Sequence, residues 1–225
     1  MRAPSGHGQS GLQRSDQVWY AAYGSNLDRA RFDCYVVGGR PPGAARTYPG
    51  CRDREPPADE AAARIPHRLY FAGASTVWGG AVAFVETTPC ARAGRETLVR
   101  LYRITWEQFA DVHAQDNWSG ELHAGLPTLP TLRSRRVVTV GSGWYDTVVY
   151  LGEHDGAPVL TFTAAAREAV GDLAAPAGAY VETMARGLAA SHGLGAHEVA
   201  EYVAAAPGAA PGPAPGPGPG VSRVR

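Results

Sequence analysis

The chain has 225 residues, of which 44% are hydrophobic, and this length and composition fit one domain with a sizeable core. Its formal net charge is zero, so no overall field attracts nucleic acid or an anionic membrane; without a membrane-length apolar run or a signal-peptide core, the sequence predicts a cytoplasmic protein. The three cysteines, Cys34, Cys51 and Cys90, are widely spaced and favour neither a disulfide framework nor a zinc site.

Composition divides the chain into a body with two polar ends. Residues 1–16 are rich in Gly, Ser, Gln and Arg without periodicity, which predicts a disordered N-terminal tail. Residues 207–225 are rich in Pro and Gly and cannot sustain a helix, which predicts a second disordered tail. The predicted domain therefore spans residues 17–206. Inside it, residues 38–64 carry five prolines and few apolar side chains, which predicts a long surface loop.

The first predicted element is a strand over the aromatic run 18–23, which ends abruptly in a turn. Gly24 permits a positive φ or the close approach of another group to its backbone. Ser25 and Asn26 can hydrogen-bond the local backbone or cap the segment that follows. Such a turn leaves N–H groups without a ladder partner, and these can face a carboxylate or a carbonyl oxygen. From its residues alone, the turn is either a small-anion site or a structural turn.

Strands alternate with helical stretches through the rest of the body. Apolar patterning predicts strands over residues 68–72, 80–86, 97–104, 136–140, 146–151 and 158–162, and helices over residues 106–115, 177–192 and 196–205. Thr105 and Gln108 fit a capping box, residues 153–156 fit a hairpin turn, and Gly193 fits a helix C-cap. Because strands outnumber helices and look hairpin-connected, we expect an α+β domain, with a mixed, mostly antiparallel barrel-like sheet and packed helices.

Several side chains have a functional and a structural interpretation. His113 and Asp116 are three residues apart on a predicted helix, but no third ligand has suitable spacing, so we interpret them as a surface pair rather than a metal site. The arginines at 133, 135 and 136 are typical of a solvated strand edge. The tryptophans at 78, 106, 118 and 144 suit the core or a pocket wall, and the sequence does not decide whether Tyr145 or Tyr150 reaches a pocket.

The string Tyr23-Gly24-Ser25-Asn26-Leu27, directly after a short apolar strand, resembles the signature of the γ-glutamylcyclotransferase-like superfamily. Two weaker motifs agree with it: Trp-Gly-Gly at 78–80 enters a strand, and a strand and helix over 101–117 lead to an acidic residue. The resemblance covers roughly residues 18–205. It implies the α+β fold of that superfamily and assigns the binding of a γ-glutamyl substrate to the five residues 23–27.

The resemblance implies an enzyme that cyclises a γ-glutamyl amine or peptide to 5-oxoproline and releases the amine without a cofactor. Such an enzyme holds its substrate in a cyclising conformation, takes a proton from the α-ammonium and stabilises an oxyanion. The superfamily uses Glu as the base, whereas our alignment places Asp116 there, with a side chain shorter by about 1.5 Å. A slipped register would place Asp111 or Glu121 there instead.

Two other functional classes are compatible with the same residues. A catalytically silent member of the fold would bind a small carboxylate or serve as an interaction module. A related hydrolase or acyltransferase would use the same pocket for a different reaction. The sequence leaves open the leaving group, which loop 38–64 and other variable segments would recognise, and it leaves open the oligomeric state.

Overall fold

The computed structural model describes residues 17–41, 46–91, 94–118 and 125–209. The predicted tail at 1–16 lies outside these ranges, as do residues 210–225 of the second predicted tail. Residues 207–209 are described, and the carbonyl oxygen of Pro207 accepts a hydrogen bond of 2.8 Å from the Phe71 N–H. In these ranges, no helix combines the length and the apolar character needed to cross a bilayer.

Eight strands and five α-helices make up the described part of the chain. The strands are β1 (Gln17–Ala22), β2 (Asp59–Ile65), β3 (His67–Ser75), β4 (Gly80–Pro89), β5 (Thr97–Thr105), β6 (Val137–Thr139), β7 (Thr147–His154) and β8 (Ala157–Thr163). The helices are α1 (Arg29–Val36), α2 (Trp106–Asp116), α3 (Leu129–Arg135), α4 (Gly178–His192) and α5 (Ala196–Ala204).

Six strands form one mixed sheet in the order β2-β5-β1-β8-β7-β6. The β1–β8 pairing is parallel and the other four are antiparallel, which confirms the predicted α+β class with a mostly antiparallel sheet. The predicted barrel-like sheet is wrong: the six-stranded sheet is open, with β2 and β6 at its edges. Strands β3 and β4 do not bridge these edges, because they pair with each other as a separate two-stranded sheet. The predicted hairpin between β7 and β8 is confirmed, with positive φ at Asp155 and Gly156 in its turn.

The central strand β1 is buried on both faces, which explains its continuous apolar run. Tyr20 belongs to the core cluster that includes Phe32 of α1 and Phe109 of α2. Trp19 belongs to the cluster on the other face, which includes Tyr180 of α4 and the β3–β4 hairpin. The C-terminal end of β1 therefore lies between two layers. One is formed by α1 and α2, and the other by α4 and the β3–β4 hairpin, so side chains from both layers can meet there.

Helix α2 runs back along the sheet toward the end of β1. Its N-cap Thr105 forms the predicted capping box with Gln108, through hydrogen bonds of 3.1 and 2.9 Å. Thr105 pairs with Gln17 at the start of β1. Because eleven helical residues span about 16 Å, the last residue of α2, Asp116, arrives near the turn that follows β1.

The structure contains two helices, α1 and α3, that the sequence did not predict. Helix α1, which the sequence did not predict, begins where the Asp28 carboxylate accepts hydrogen bonds from the N–H groups of Ala30 and Arg31. Residues 133 and 135 lie on helix α3 rather than on a strand edge, and Arg136 ends that helix with a φ of 62°. Proline at the second position of α3 suits the first turn of a helix and accounts for its start.

The segment 38–64 is less of a surface loop than its composition predicts. Its last part belongs to strand β2, which pairs with β5. Between these strands, Arg100 Nε of β5 donates a 2.8 Å hydrogen bond to the Glu60 carboxylate of β2. Tyr48 and Cys51 are buried. Residues 42–45 of this segment lie outside the described residues.

Candidate functional site

Two neighbouring cavities lie at the end of β1. The large cavity has a volume of about 370 Å³ and the small cavity about 30 Å³. Four residues line both of them: Ser25, Asp116, Tyr145 and Tyr180. The two cavities therefore share a boundary formed by the turn after β1, the end of α2, the segment before β7 and the start of α4.

The turn after β1 is a single 3₁₀ turn over Ser25–Leu27. Its Leu27 N–H donates to the Gly24 carbonyl oxygen at 3.0 Å. The N–H groups of Ser25 and Asn26 precede this bond in the chain, so they find no acceptor within the turn. They remain the candidate donors of this turn, and the Ser25 N–H lies within reach of the Tyr180 hydroxyl oxygen.

Gly24 serves close packing rather than a positive φ. Its φ is −108°, which other residues adopt as well. A Cβ atom at this position would lie 2.6 Å from the hydroxyl oxygen of Tyr180. Tyr180 is held there because its hydroxyl accepts a 3.0 Å hydrogen bond from the Ala83 N–H. The absent side chain therefore allows a helix α4 tyrosine to contact the turn.

The Gly24→Ala variant is expected to lose about 1–3 kcal/mol of unfolding free energy, because its methyl group overlaps the Tyr180 hydroxyl. In a Tyr180→Phe background the added cost should be small, since the next Tyr180 atom, Cζ, lies at an ordinary 3.7 Å. Urea denaturation of the four proteins in this double-mutant cycle measures the coupling. Equal costs of Gly24→Ala in both backgrounds would contradict the packing explanation.

The other predicted binding residues occupy different environments. Asn26 lines the small cavity; its Nδ2 donates to the Tyr20 hydroxyl at 3.2 Å, and among described residues its Oδ1 has no partner. Tyr23 also lines the small cavity and donates to the Phe162 carbonyl oxygen at 2.7 Å. Leu27 lines neither cavity, because its side chain is fully buried in the core.

Asp116 presents its carboxylate to both cavities. The hydroxyl of Tyr35 donates a short hydrogen bond to its Oδ1. Burial raises the pKa of Asp116 to about 6, while the Tyr35 hydrogen bond and the charge of Arg31 pull it down. At neutral pH the carboxylate is therefore mostly ionised and has the basicity of a group that can accept a proton during a reaction.

A buried arginine, which was not predicted from the sequence, is connected to Asp116 by a chain of hydrogen bonds. Arg31 Nη2 donates to the hydroxyls of Tyr35 at 2.9 Å and Tyr48 at 2.7 Å. Tyr35 in turn donates to Asp116, so one phenol oxygen separates the cation from the anion. The spacing of Arg31 and Tyr35 places them on one face of a helix, but this signal required α1 to be recognised first.

The alternative acids do not line these cavities. Asp111 is fully buried and forms an ion pair of 3.0 Å with Arg52. Glu121 lies outside the described residues. Among the acidic residues that the sequence analysis considered and the structure describes, Asp116 is the one at the cavity boundary.

The predicted surface pair of His113 and Asp116 is wrong. His113 is buried, because its ring packs on Phe162 at 5.4 Å between centroids and its Nε2 contacts the Tyr145 carbonyl oxygen at 2.8 Å. Burial lowers the pKa of His113. Within the described ranges, no group of three or more His, Cys, Asp or Glu side chains has the arrangement of a metal site.

Aromatic side chains form much of the cavity walls. Trp78, Trp118 and Trp144 line the large cavity, whereas Trp106 does not. Tyr145 lines both cavities, and Tyr150 lines neither. The sequence had left these tyrosines undecided.

Comparison with known proteins identifies a sequence relative but no family. No family model matches the chain. Histone deacetylase 5 of Arabidopsis thaliana is 37% identical in an alignment of 201 positions that covers 83% of this chain and 30% of that protein. The chain therefore spans less than a third of the length of this relative.

The solved structures similar to the chain include two at 18% sequence identity. An uncharacterized protein from Homo sapiens has a TM-score of 0.47, over 90% of this chain and 93% of its own. The second has a TM-score of 0.46, over 83% of this chain and 86% of its own. That second structure, to which the chain is similar in fold, is a γ-glutamyl cyclotransferase.

Proposed function

We propose that this protein is a γ-glutamylcyclotransferase-like enzyme, which converts a γ-glutamyl amine or peptide into 5-oxoproline and a free amine. One observation carries the proposal. Two segments that are far apart in the sequence, the Tyr-Gly-Ser-Asn-Leu turn and the end of α2, meet at one cavity boundary, where Ser25 and Asp116 line the same space. A carboxylate with a pKa of about 6 thus faces a turn whose Ser25 and Asn26 N–H groups have no acceptor within the turn.

The proposed reaction is an intramolecular aminolysis. Asp116 takes a proton from the α-ammonium of the γ-glutamyl group, and the freed amine attacks the γ-carbonyl carbon. The new carbon–nitrogen bond closes a five-membered ring as the bond to the leaving amine breaks, and the proton on Asp116 passes to that amine. The ring nitrogen then loses its second proton, which Asp116 also accepts and transfers, so that the amine leaves as an ammonium ion. The N–H groups of Ser25 and Asn26 donate to the oxygen that carries negative charge during the attack.

The sizes of the two cavities support a placement of the γ-carbonyl oxygen in the small cavity and of the leaving amine in the large cavity. The small cavity of about 30 Å³ has space for few atoms and lies against Asn26 and Ser25, which suits the carbonyl oxygen. The large cavity of about 370 Å³ has the volume for a leaving amine. Its tryptophan walls give that amine an apolar surface to pack against.

A panel of γ-glutamyl dipeptides and γ-glutamyl amines tests this function. The purified protein should release 5-oxoproline from at least one of them, as measured by mass spectrometry. The matched α-glutamyl dipeptides should give no product, because expulsion of their second residue cannot close the five-membered lactam. A folded protein that yields no 5-oxoproline from the whole panel favours the alternative function, a silent member of the fold that binds a small carboxylate.

The Asn26→Ala variant is expected to bind γ-glutamyl ligands about 10-fold more weakly while keeping its fold, because one amide group facing the small cavity is lost. Calorimetric titration measures the affinity, and thermal unfolding checks the fold. Tyr20→Phe is the matched control, since it removes the hydroxyl that contacts Asn26 Nδ2 and leaves the amide in place. Unchanged affinity in Asn26→Ala would show that the proposed subsite is misplaced.

The similarity to Histone deacetylase 5 does not extend the proposal to deacetylation. The matched region is 30% of that protein, and the name describes the whole of it. The panel of γ-glutamyl compounds distinguishes cyclisation from deacetylation, because removal of an acetyl group does not form 5-oxoproline.

A further inference from the structure

Arg31 is a buried cation whose hydrogen-bonding capacity is only partly used. Its side chain lines the large cavity, and the residue is 4% exposed. Nη2 donates to two tyrosine hydroxyls, but within the described part of the chain Nε and Nη1 have no partner. A guanidinium group stays protonated at any physiological pH, and leaving such donors unpaired is costly in a protein interior.

Aromatic rings hold the guanidinium group in place. Its carbon atom lies 4.5 Å from the ring centroid of Tyr35, 4.4 Å from that of Tyr48 and 5.9 Å from that of Trp78. These cation–π contacts and the two hydroxyls restrict its orientation. The group is therefore preorganised before any ligand arrives, which lowers the entropic cost of binding.

The surrounding charges favour a zwitterionic ligand over a simple anion. Asp116 is the carboxylate linked to Arg31, through the hydroxyl of Tyr35, so a cation and an anion lie side by side at the cavity. A phosphate would meet the negative charge of Asp116 as well as the positive charge of Arg31. An α-amino acid head group carries an ammonium and a carboxylate two bonds apart, and it can satisfy both residues at once.

We propose that Arg31 is the receptor for the α-carboxylate of the ligand, so that the site selects compounds in which the α-amine and the α-carboxylate are both free. The proposal rests on the proposed function for the position of the amine at Asp116. In this arrangement the ligand carboxylate also compensates the charge of Arg31 at the moment when Asp116 is neutralised by the transferred proton.

L-Glutamine and its α-carboxamide, L-glutaminamide, are a matched pair of probes. Both carry the γ-amide and the α-amine, and they differ in the charge at the α-carbonyl. Wild-type protein should bind L-glutamine about 10- to 100-fold more tightly in calorimetric titration, the range for one charge-assisted contact. In Arg31→Met the preference should fall to about one-fold, mainly because L-glutamine binds more weakly.

Two further variants make the test specific. Arg31→Lys retains the positive charge, so it should fold and keep part of the preference for L-glutamine. It therefore tests the proposal even when Arg31→Met does not fold. Arg133→Met is the control, because Arg133 forms a surface ion pair of 3.2 Å with Glu153 and lines neither of the two cavities that Arg31 lines; it should keep the full preference. Thermal unfolding of every variant separates a binding defect from a folding defect.

The outcomes distinguish this proposal from the proposed function. Equal affinity of wild type for the two probes, no L-glutamine binding at millimolar concentrations, or an unchanged preference in folded Arg31→Met would overturn the role of Arg31. An Arg31-dependent preference without 5-oxoproline from any γ-glutamyl compound would support the carboxylate receptor and refute the cyclotransferase. An Arg31-dependent preference together with the release of 5-oxoproline would support both proposals.

Discussion

Asp116→Asn is expected to lower kcat/KM for 5-oxoproline formation by about 10²- to 10⁴-fold, the usual contribution of a positioned general base. Asparagine has nearly the same shape, and its Oδ1 can still accept the hydrogen bond of Tyr35, but it cannot accept the proton of the substrate ammonium. Steady-state kinetics measures the loss, and thermal unfolding shows whether the variant folds. A variant that retains wild-type turnover would place the base elsewhere in the site.

Asp116→Glu distinguishes a site adapted to aspartate from a degraded glutamate site. The structure favours the first, because the hydroxyl of Tyr35 binds the shorter carboxylate at the cavity boundary. The longer side chain moves the carboxylate by about 1.5 Å, and a misplacement of about 1 Å can cost 10²-fold in rate. We therefore expect a loss of about 10-fold or more, whereas a large gain would show that the native aspartate is too short.

The rate should also depend on pH through Asp116. Because the base must be deprotonated, kcat/KM is expected to rise as the pH passes through about 6, the pKa of Asp116 in the free protein. The Tyr35 hydrogen bond stabilises the carboxylate and lowers that pKa. In Tyr35→Phe the pKa rises, so the acid limb of the profile should move upward by about one pH unit.

The ratio of the wild-type rate to the Tyr35→Phe rate should therefore be largest below pH 6, where it approaches about 10-fold, and close to one at pH 8. Tyr48→Phe is the matched control, since Tyr48 contacts Arg31 but has no hydrogen bond to Asp116. Its acid limb should stay within a few tenths of a unit of wild type. A purely structural role for Tyr35 would reduce the rate equally at every pH, and that result would contradict its assigned effect on Asp116.

The sequence predicted elements whose signals are local. The capping box at Thr105, the apolar run of β1 and the left-handed C-cap at Gly193 are each read from a few neighbouring residues, and the structure contains all three. Helix α1 was missed because it is short and only three apolar residues, Phe32, Tyr35 and Val36, mark its buried face; the Asp28 cap and the Arg29–Asp33 ion pair help to stabilise it.

The site was predicted less completely than the fold, because its contacts join distant segments. The acid at position 116 came from a resemblance, whereas the row from Arg31 through Tyr35 depends on how α1 packs against α2. His113 was placed at the surface because no third ligand has a spacing that would make it part of a metal site. Its burial follows from β8 and the segment before β7, which supply Phe162 and the Tyr145 carbonyl.

The central claim is that the substrate's own amine attacks its γ-carbonyl carbon. The most direct test is a reaction in water enriched in heavy oxygen, with a γ-glutamyl compound that the protein cleaves, followed by mass spectrometry of the glutamyl product. Intramolecular attack predicts 5-oxoproline without solvent oxygen. Glutamate that carries one heavy oxygen atom would show that water is the nucleophile and that the protein is a hydrolase instead.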